Sequence, residues 1–146
     1  MNKLRVPIIP AEEGQSLNLG KGARLDVLSV SPRGSVLLLH WNDVRILIPA
    51  GADFDFFAKA IEPVNVLLLP ESGYGPLNPT EWIEKLQPDL ILLSVEAGNR
   101  AGLPRQDLLE FLQPYELLRT DVHGWIEIVA DGRNVWVETE NRGFDD

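Results

Sequence analysis

A chain of 146 residues with 45% hydrophobic composition is sized for one domain around one core, and its formal net charge of −9 opposes contact with phosphate backbones, which bind through Lys and Arg. Direct nucleic-acid binding by this chain is therefore disfavoured. Cysteine is absent, which excludes disulfides and thiolate metal sites, and no apolar run approaches the roughly 20 residues of a membrane-spanning helix, so no membrane segment is expected within the chain.

Residues 1–22 lack helical or strand periodicity and carry Pro7, Pro10, Gly14, Gly20 and Gly22, which predicts an extended N-terminal arm with at most a short edge strand. Residues 25–31, 36–41 and 44–48 read as strands. Asn42-Asp43 reads as a two-residue hairpin turn between the last two, because both residue types tolerate positive φ. Residues 52–61 then read as a short helix, and 64–69 as a strand apolar on both faces.

Asn78-Pro79-Thr80-Glu81 predicts a helix start, with Asn78 as N-cap, Pro79 in the first position and Glu81 completing a capping box. Trp82, Ile83 and Leu86 make its apolar stripe, and Pro88 stops it. Residues 90–95 return as a buried strand, and 104–112 give a helix with Leu108, Leu109 and Leu112 on one face. Strands follow at 116–119, 125–130 and 133–138, the last two joined by Asp131-Gly132 as a hairpin turn, and 141–146 are expected to fray. The alternation of strand and helix indicates an α/β class, with a mixed β-sheet and flanking helices. The expected organisation is an arm at 1–22, one folded unit at 23–140 and a tail at 141–146.

Two segments carry a likeness to a known family. Ser94-Val95-Glu96-Ala97-Gly98-Asn99-Arg100 and Arg119-Thr120-Asp121-Val122-His123-Gly124 occur in order with 19–22, 25–28, 35–48, 64–73 and 88–103. Together they resemble the C-terminal half of a metallo-β-lactamase-type domain, and in particular the soluble domain of the ComEC family, the competence (DNA uptake) channel proteins of bacteria. The likeness covers about residues 19–138. It implies an αββα sandwich of which this chain supplies a half, and an extracytoplasmic location if the chain belongs to such a membrane protein.

The resemblance also implies where metal ligands should stand, and each position is altered. Gly51 takes the place of an aspartate that bridges two metals. Pro70-Glu71-Ser72-Gly73 replaces a histidine-bearing loop, and Gly102-Leu103-Pro104-Arg105 replaces a segment with two imidazoles. Arg105 cannot ligate a divalent metal. The H-x-H-x-D-H motif that precedes these segments in the family is absent from the chain. The reading that follows is a catalytically degenerate domain with a structural or interaction role, no catalytic residue and no cofactor. Its partner would be an upstream half-domain or a second copy. A second reading is a metal-dependent nuclease or phosphodiesterase, using zinc or manganese in a site completed by an upstream half. A third is a stand-alone small-ligand binding module.

Glu71, at a strand's C-terminal end in a Gly-rich loop, is either a replacement ligand or a solvated carboxylate. Ser72 beside it lacks an identifiable histidine base. Asp53 and Asp55 follow Gly51, where either can stand in for the missing bridging carboxylate, or Asp53 can sit in a helix's first turn, where its charge suits the dipole. Asn99 and Arg100 follow a buried strand and can hold an anion, unless Asn99 stabilises its own loop. The candidate ligand-binding set is thus Glu71, Ser72, Asn99 and Arg100, with Asp53, Asp55 and Glu71 as metal candidates. His40 reads as a half-buried strand residue and His123 as an exposed turn residue. Trp41, Trp82, Trp125 and Trp136 with Phe54, Phe56 and Phe57 either fill the core or cover the surface of a missing half, which predicts self-association.

Overall fold

The computed structural model describes residues 7–51 and 62–141. The helix expected at 52–61, with Asp53, Asp55 and the three phenylalanines, lies outside the described residues, as do residues 142–146 of the tail. The class is mixed α/β. Seven strands form one sheet in chain order: β1 (Ser16–Gly20), β2 (Ala23–Ser31), β3 (Gly34–Trp41), β4 (Val44–Ala50), β5 (Val66–Leu69), β6 (Leu90–Leu93) and β7 (Glu116–Arg119). The first four pair antiparallel through tight turns, and Asn42 takes the positive φ of 51° that the β3–β4 turn demands. From β4 to β7 the pairing is parallel, which requires longer crossovers. Helices α1 (Thr80–Leu86) and α2 (Gln106–Leu112) provide two of these. Among the described residues no helix is long and apolar enough to cross a membrane.

Residues 16–20 of the N-terminal arm form the edge strand β1, whose register against β2 shifts between Asn18 and Gly20. Such a bulge blunts an edge against pairing with other chains. Asn65 ties the starts of three strands. Its Oδ1 accepts from Arg45 N at 2.9 Å, its Nδ2 donates to Asp89 Oδ2 at 2.9 Å, and its carbonyl accepts from Leu90 N at 2.9 Å.

Both faces of the sheet are apolar, but they are used differently. On the first, Leu38, Leu47, Leu67, Ile91 and Leu117 stand in register across β3 to β7. This face meets Trp82, Ile83 and Leu86 of α1 and Leu108 and Leu112 of α2 in the core cluster. Leu47, Leu67, Ile83, Ile91 and Leu112 are fully buried, and each such side chain contributes about 1.5–3 kcal/mol by leaving water. On the second face, Leu17, Leu25, Leu39, Ile46, Val66 and Leu90 form a row from β1 to β6. Beside it Val27, Leu37 and Ile48 align across β2–β4, and Leu68, Leu92 and Leu118 across β5–β7. None of these second-face residues belongs to the core cluster.

The helix starts differ from the sequence expectation. Pro79, not Asn78, is the N-cap of α1, and no side chain caps it. Asn78 is instead 2% exposed, with Nδ2 donating to the carbonyls of Tyr74 at 2.8 Å and Pro70 at 3.2 Å. Those carbonyls also accept from Gly73 N and Leu77 N, both at 3.0 Å, so the Asn78 amide adds a second donor to each and ties down the loop between β5 and α1 instead of capping the helix. Helix α2 begins at Gln106, two residues after Pro104.

After β7 come a one-turn helix α3 (Thr120–His123) and a separate hairpin, β8 (Ile126–Ala130) with β9 (Val135–Thr139). His123 is half-buried in α3, not in an open turn, because its Nδ1 lies 3.0 Å from the backbone of Arg119. The β8–β9 connection spans four residues, Asp131 to Asn134, instead of the expected two. The cause is the Asp131 carboxylate, which accepts from Asn134 N at 2.8 Å and Arg133 N at 2.9 Å and so builds an Asx turn. The hairpin tip docks on the β3–β4 turn through Asp43 N to Gly132 O at 2.9 Å.

The Asp131 hydrogen bonds, first from Asn134 N and then from Arg133 N, hold its carboxyl below the usual carboxylate range. A depressed folded-state pKa adds stability that is present above the unfolded value and is lost as pH falls through the folded one. The amide resonances of Arg133 and Asn134 are therefore expected to titrate on the acid side, below the pH at which an ordinary aspartate titrates. Asp131→Asn should abolish that titration. An unchanged acid titration of both amides in the variant would contradict the assignment.

Candidate functional site

Pairing of β4 with β5 ends at Leu47↔Leu67, before Pro49, which has no N–H to continue the ladder. Beyond that point, at the C-terminal ends of the strands, a cleft of about 600 Å³ opens, lined among others by Arg33, Ser35, Gly51, Glu71, Ser72 and Ser94. Crevices at this end of parallel strands are where α/β sheets usually bind ligands.

Two backbone features build its walls. On one side the turn at Arg33-Gly34 presses against Ala50-Gly51. A Cβ on Gly51 would lie 2.2 Å from Arg33 O, and one on Gly34 would lie 2.0 Å from Ala50 O. Ser31 Oγ fastens this contact, accepting from Arg33 N at 3.1 Å and lying 3.3 Å from Gly34 O. On the other side Glu71, Ser72 and Gly73 have consecutive positive φ of 50°, 53° and 77°. For the two non-glycine residues this conformation costs on the order of 1–3 kcal/mol each, and such strain collects at functional sites. Ser72 Oγ donates to Ser94 O at 3.0 Å, linking the end of β5 to the end of β6. Glu71 is exposed at the cleft.

The candidate residues divide between sites. Glu71 and Ser72 share the cleft with Gly51, whereas Asn99 and Arg100 line a separate hollow formed by residues 96–101. Asn99 works within its own loop, with Nδ2 donating to Leu103 O at 2.8 Å and Oδ1 accepting from Ala101 N at 2.9 Å. Arg100 is exposed. Arg105 lies in a third place, paired with Asp107 at 3.4 Å. His40 is half-buried, its Nε2 2.8 Å from Asn42 O. Trp82 is buried in the core, while Trp125 and Trp136 are exposed.

The Arg119-Thr120-Asp121 segment has a legible structural task. Thr120 Oγ1 accepts from Val95 N and donates to Val95 O, both at 2.8 Å, so it holds the chain in line two residues past the end of β6. Arg119 grips Asp121 through Nε at 3.0 Å and Nη2 at 2.6 Å. Sequence reasoning missed Arg33, Ser35 and Ser94 as lining residues. The available signal was Pro32-Arg33-Gly34 between two strands, a turn pattern that brings its loop beside the end of β4.

A two-metal centre at the positions implied by the family resemblance does not fit these residues. Gly51 has no room for a side chain, Leu103 offers no donor atom and Arg105 brings a fixed cation. Glu71 is the one carboxylate at those positions, and no group of three or more His, Asp or Glu converges among the described residues. Chemically the cleft offers a carboxylate, a guanidinium and hydroxyls around an apolar floor. Compared with protein-family models, curated proteins and solved structures, the chain matches none.

Proposed function

We propose that this chain is a catalytically degenerate, metallo-β-lactamase-like half-domain, similar to that of ComEC-type DNA-uptake proteins, and that its role is structural or interaction-based. The observation that carries the reading is the second, apolar face of the sheet. One face is packed by helices, and the other presents rows of Leu, Ile and Val that stay outside the core cluster. A sheet apolar on both faces is built to lie between two layers. In an αββα sandwich the second layer would be another sheet, about 10 Å away. The steric closure at Gly51 supports the degenerate part of the reading, since an aspartate there would need a different backbone.

Titration calorimetry with zinc and with manganese, on the chain and on Glu71→Ala in parallel, tests the degenerate reading. The expected result is no stoichiometric binding and no turnover of a phosphodiester substrate. Stoichiometric binding that disappears in Glu71→Ala would overturn it. The hydrolase alternative would then lead, with Glu71 and Asp53 or Asp55 forming a rebuilt site that an upstream half completes.

A further inference from the structure

We infer that the outer face of the β8–β9 hairpin binds an extended segment of a partner protein that presents arginine or lysine at alternate positions. Strand alternation sets that face. The register pairs Val129 with Trp136 and Glu127 with Glu138, and the hydrogen bond from Glu140 N to Trp125 O at 3.0 Å carries the pairing past the end of β8. Trp125, Glu127, Val129, Trp136, Glu138 and Glu140 therefore share one side. On the opposite side Ile126, Ile128, Ala130 and Val135 are half-buried. On the outer side Trp125 stays 52%, Trp136 50% and Val129 45% exposed. The hairpin is fastened at its tip by Asp43 N to Gly132 O and at its base by Asn141 N to His123 O, both at 2.9 Å. Two indoles are thus held out on a fixed platform, and such rigid aromatic side chains lose little entropy on binding. This face shares no residue with the cleft at Glu71, so metal titration of the cleft does not bear on it.

Charge selects the occupant. Glu127 and Glu138 stand directly opposite each other, and among the described residues no cation pairs with either. Like charges at directly opposed positions destabilise a hairpin, and a cation supplied from outside removes that cost. Tryptophan is the best of the aromatic side chains at attracting a cation to its ring face. The net charge of −9 repels a second copy, a nucleic acid and an anionic lipid surface alike, whereas it draws in a basic segment.

Spacing refines the motif. Trp136 lies at the level of Val129, four residues along the hairpin from Trp125, which is roughly 14 Å. An extended segment carries successive same-side residues about 7 Å apart. Its positions i, i+2 and i+4 therefore reach Trp125, the Glu127–Glu138 pair and Trp136 in turn. Arginine suits all three places, because its planar guanidinium both stacks on an indole and bridges carboxylates.

The test is fluorescence anisotropy of a labelled peptide containing Arg-Ser-Arg-Ser-Arg, titrated with the full chain at low and at physiological ionic strength. Saturable binding that weakens with salt is expected, about fivefold or more tighter than for the isomeric Arg-Arg-Arg-Ser-Ser peptide. Trp136→Ala should weaken it roughly three- to tenfold. Glu138→Gln should weaken it while leaving the thermal midpoint unchanged or higher, since it relieves the opposed charges. Glu84→Gln, the same charge change at an exposed position of α1, should leave binding unchanged. Absence of saturation by either peptide would overturn the inference. So would equal affinity for both peptides with no loss in Trp136→Ala and Glu138→Gln, which would show general attraction to an acidic chain. Saturation by a neutral glucan oligosaccharide in place of the peptide would also overturn it and assign the tryptophans to a sugar. If Trp136→Ala does not fold, Glu138→Gln and the comparison of the two peptides decide.

Discussion

Gly51→Asp, which restores the carboxylate that the family resemblance implies at this position, is expected to destabilise the chain severely and to create no metal site. The reason is local and steric. Gly51 has a φ of +71°, where an L side chain is strained, and its Cβ would lie 2.2 Å from the carbonyl oxygen of Arg33. That atom is backbone and cannot swing away. The contact is reciprocal, since Gly34 faces the carbonyl of Ala50 at 2.0 Å, so neither turn can retreat without breaking the other. Strain plus backbone displacement should cost roughly 3–5 kcal/mol, at the severe end for point substitutions. For a chain of this length that lowers the thermal midpoint by roughly 10–20 °C. Gly51→Ala should lose nearly as much, because the clash begins at Cβ, whereas Ala50→Ser at the exposed neighbour should change little. Thermal melts of the three variants decide the matter. A Gly51→Asp protein as stable as its parent would show that the loop can open to accept a ligand, and the degenerate reading would lose its steric support.

The strands and their order of appearance were legible because each is a short apolar run bounded by turn residues, as in 36–41, Asn42-Asp43 and 44–48. Helix α1 was legible from its stripe of Trp82, Ile83 and Leu86. What escaped was set by tertiary contacts. Asn78 looks like an N-cap in sequence, but its amide is taken by two carbonyls of a preceding loop, which no local pattern encodes. Asp131-Gly132 looks like a two-residue turn until the carboxylate reaches on to Asn134. Of the candidate site, Glu71 and Ser72 were readable from their place after a buried strand, but their partners in the cleft were not. Arg33 arrives there because two turns 17 residues apart interlock through glycine, a close approach that leaves no periodic trace in sequence. The apolar second face was visible as runs of consecutive Leu, Ile and Val. Those runs state that both faces shun water, and the fold alone reveals which face the helices took.

Asn78→Leu is expected to cost about 1–3 kcal/mol, since it removes two side-chain hydrogen bonds to the carbonyls of Pro70 and Tyr74, each of which keeps a backbone donor, Gly73 N or Leu77 N. The loss should concentrate in the segment that carries Glu71 and Ser72, because Pro70 and Tyr74 bracket it. Faster hydrogen exchange at Gly73, Tyr74, Leu77 and Asn78, whose amides bond within the segment, is the local readout. Asn78→Asp separates donation from packing. Both neighbouring atoms are carbonyl oxygens, so the amide must present its NH₂ to them, and a carboxylate in its place faces two negative dipoles in a site that is 2% exposed. Burial and those dipoles favour the protonated acid, which raises the folded-state pKa above the unfolded one. The sign then follows: below the unfolded pKa the variant retains one donated hydrogen bond and a modest deficit. As pH rises above the unfolded value the stability falls by roughly 1.4 kcal/mol per unit, until the folded pKa is passed. Asn78→Leu should show no such slope relative to the parent. Urea melts of both variants between acid and neutral pH provide the comparison. Parallel pH profiles would mean that the Asn78 amide is not the donor that holds the loop, and the strained turn at Glu71 and Ser72 would need another anchor.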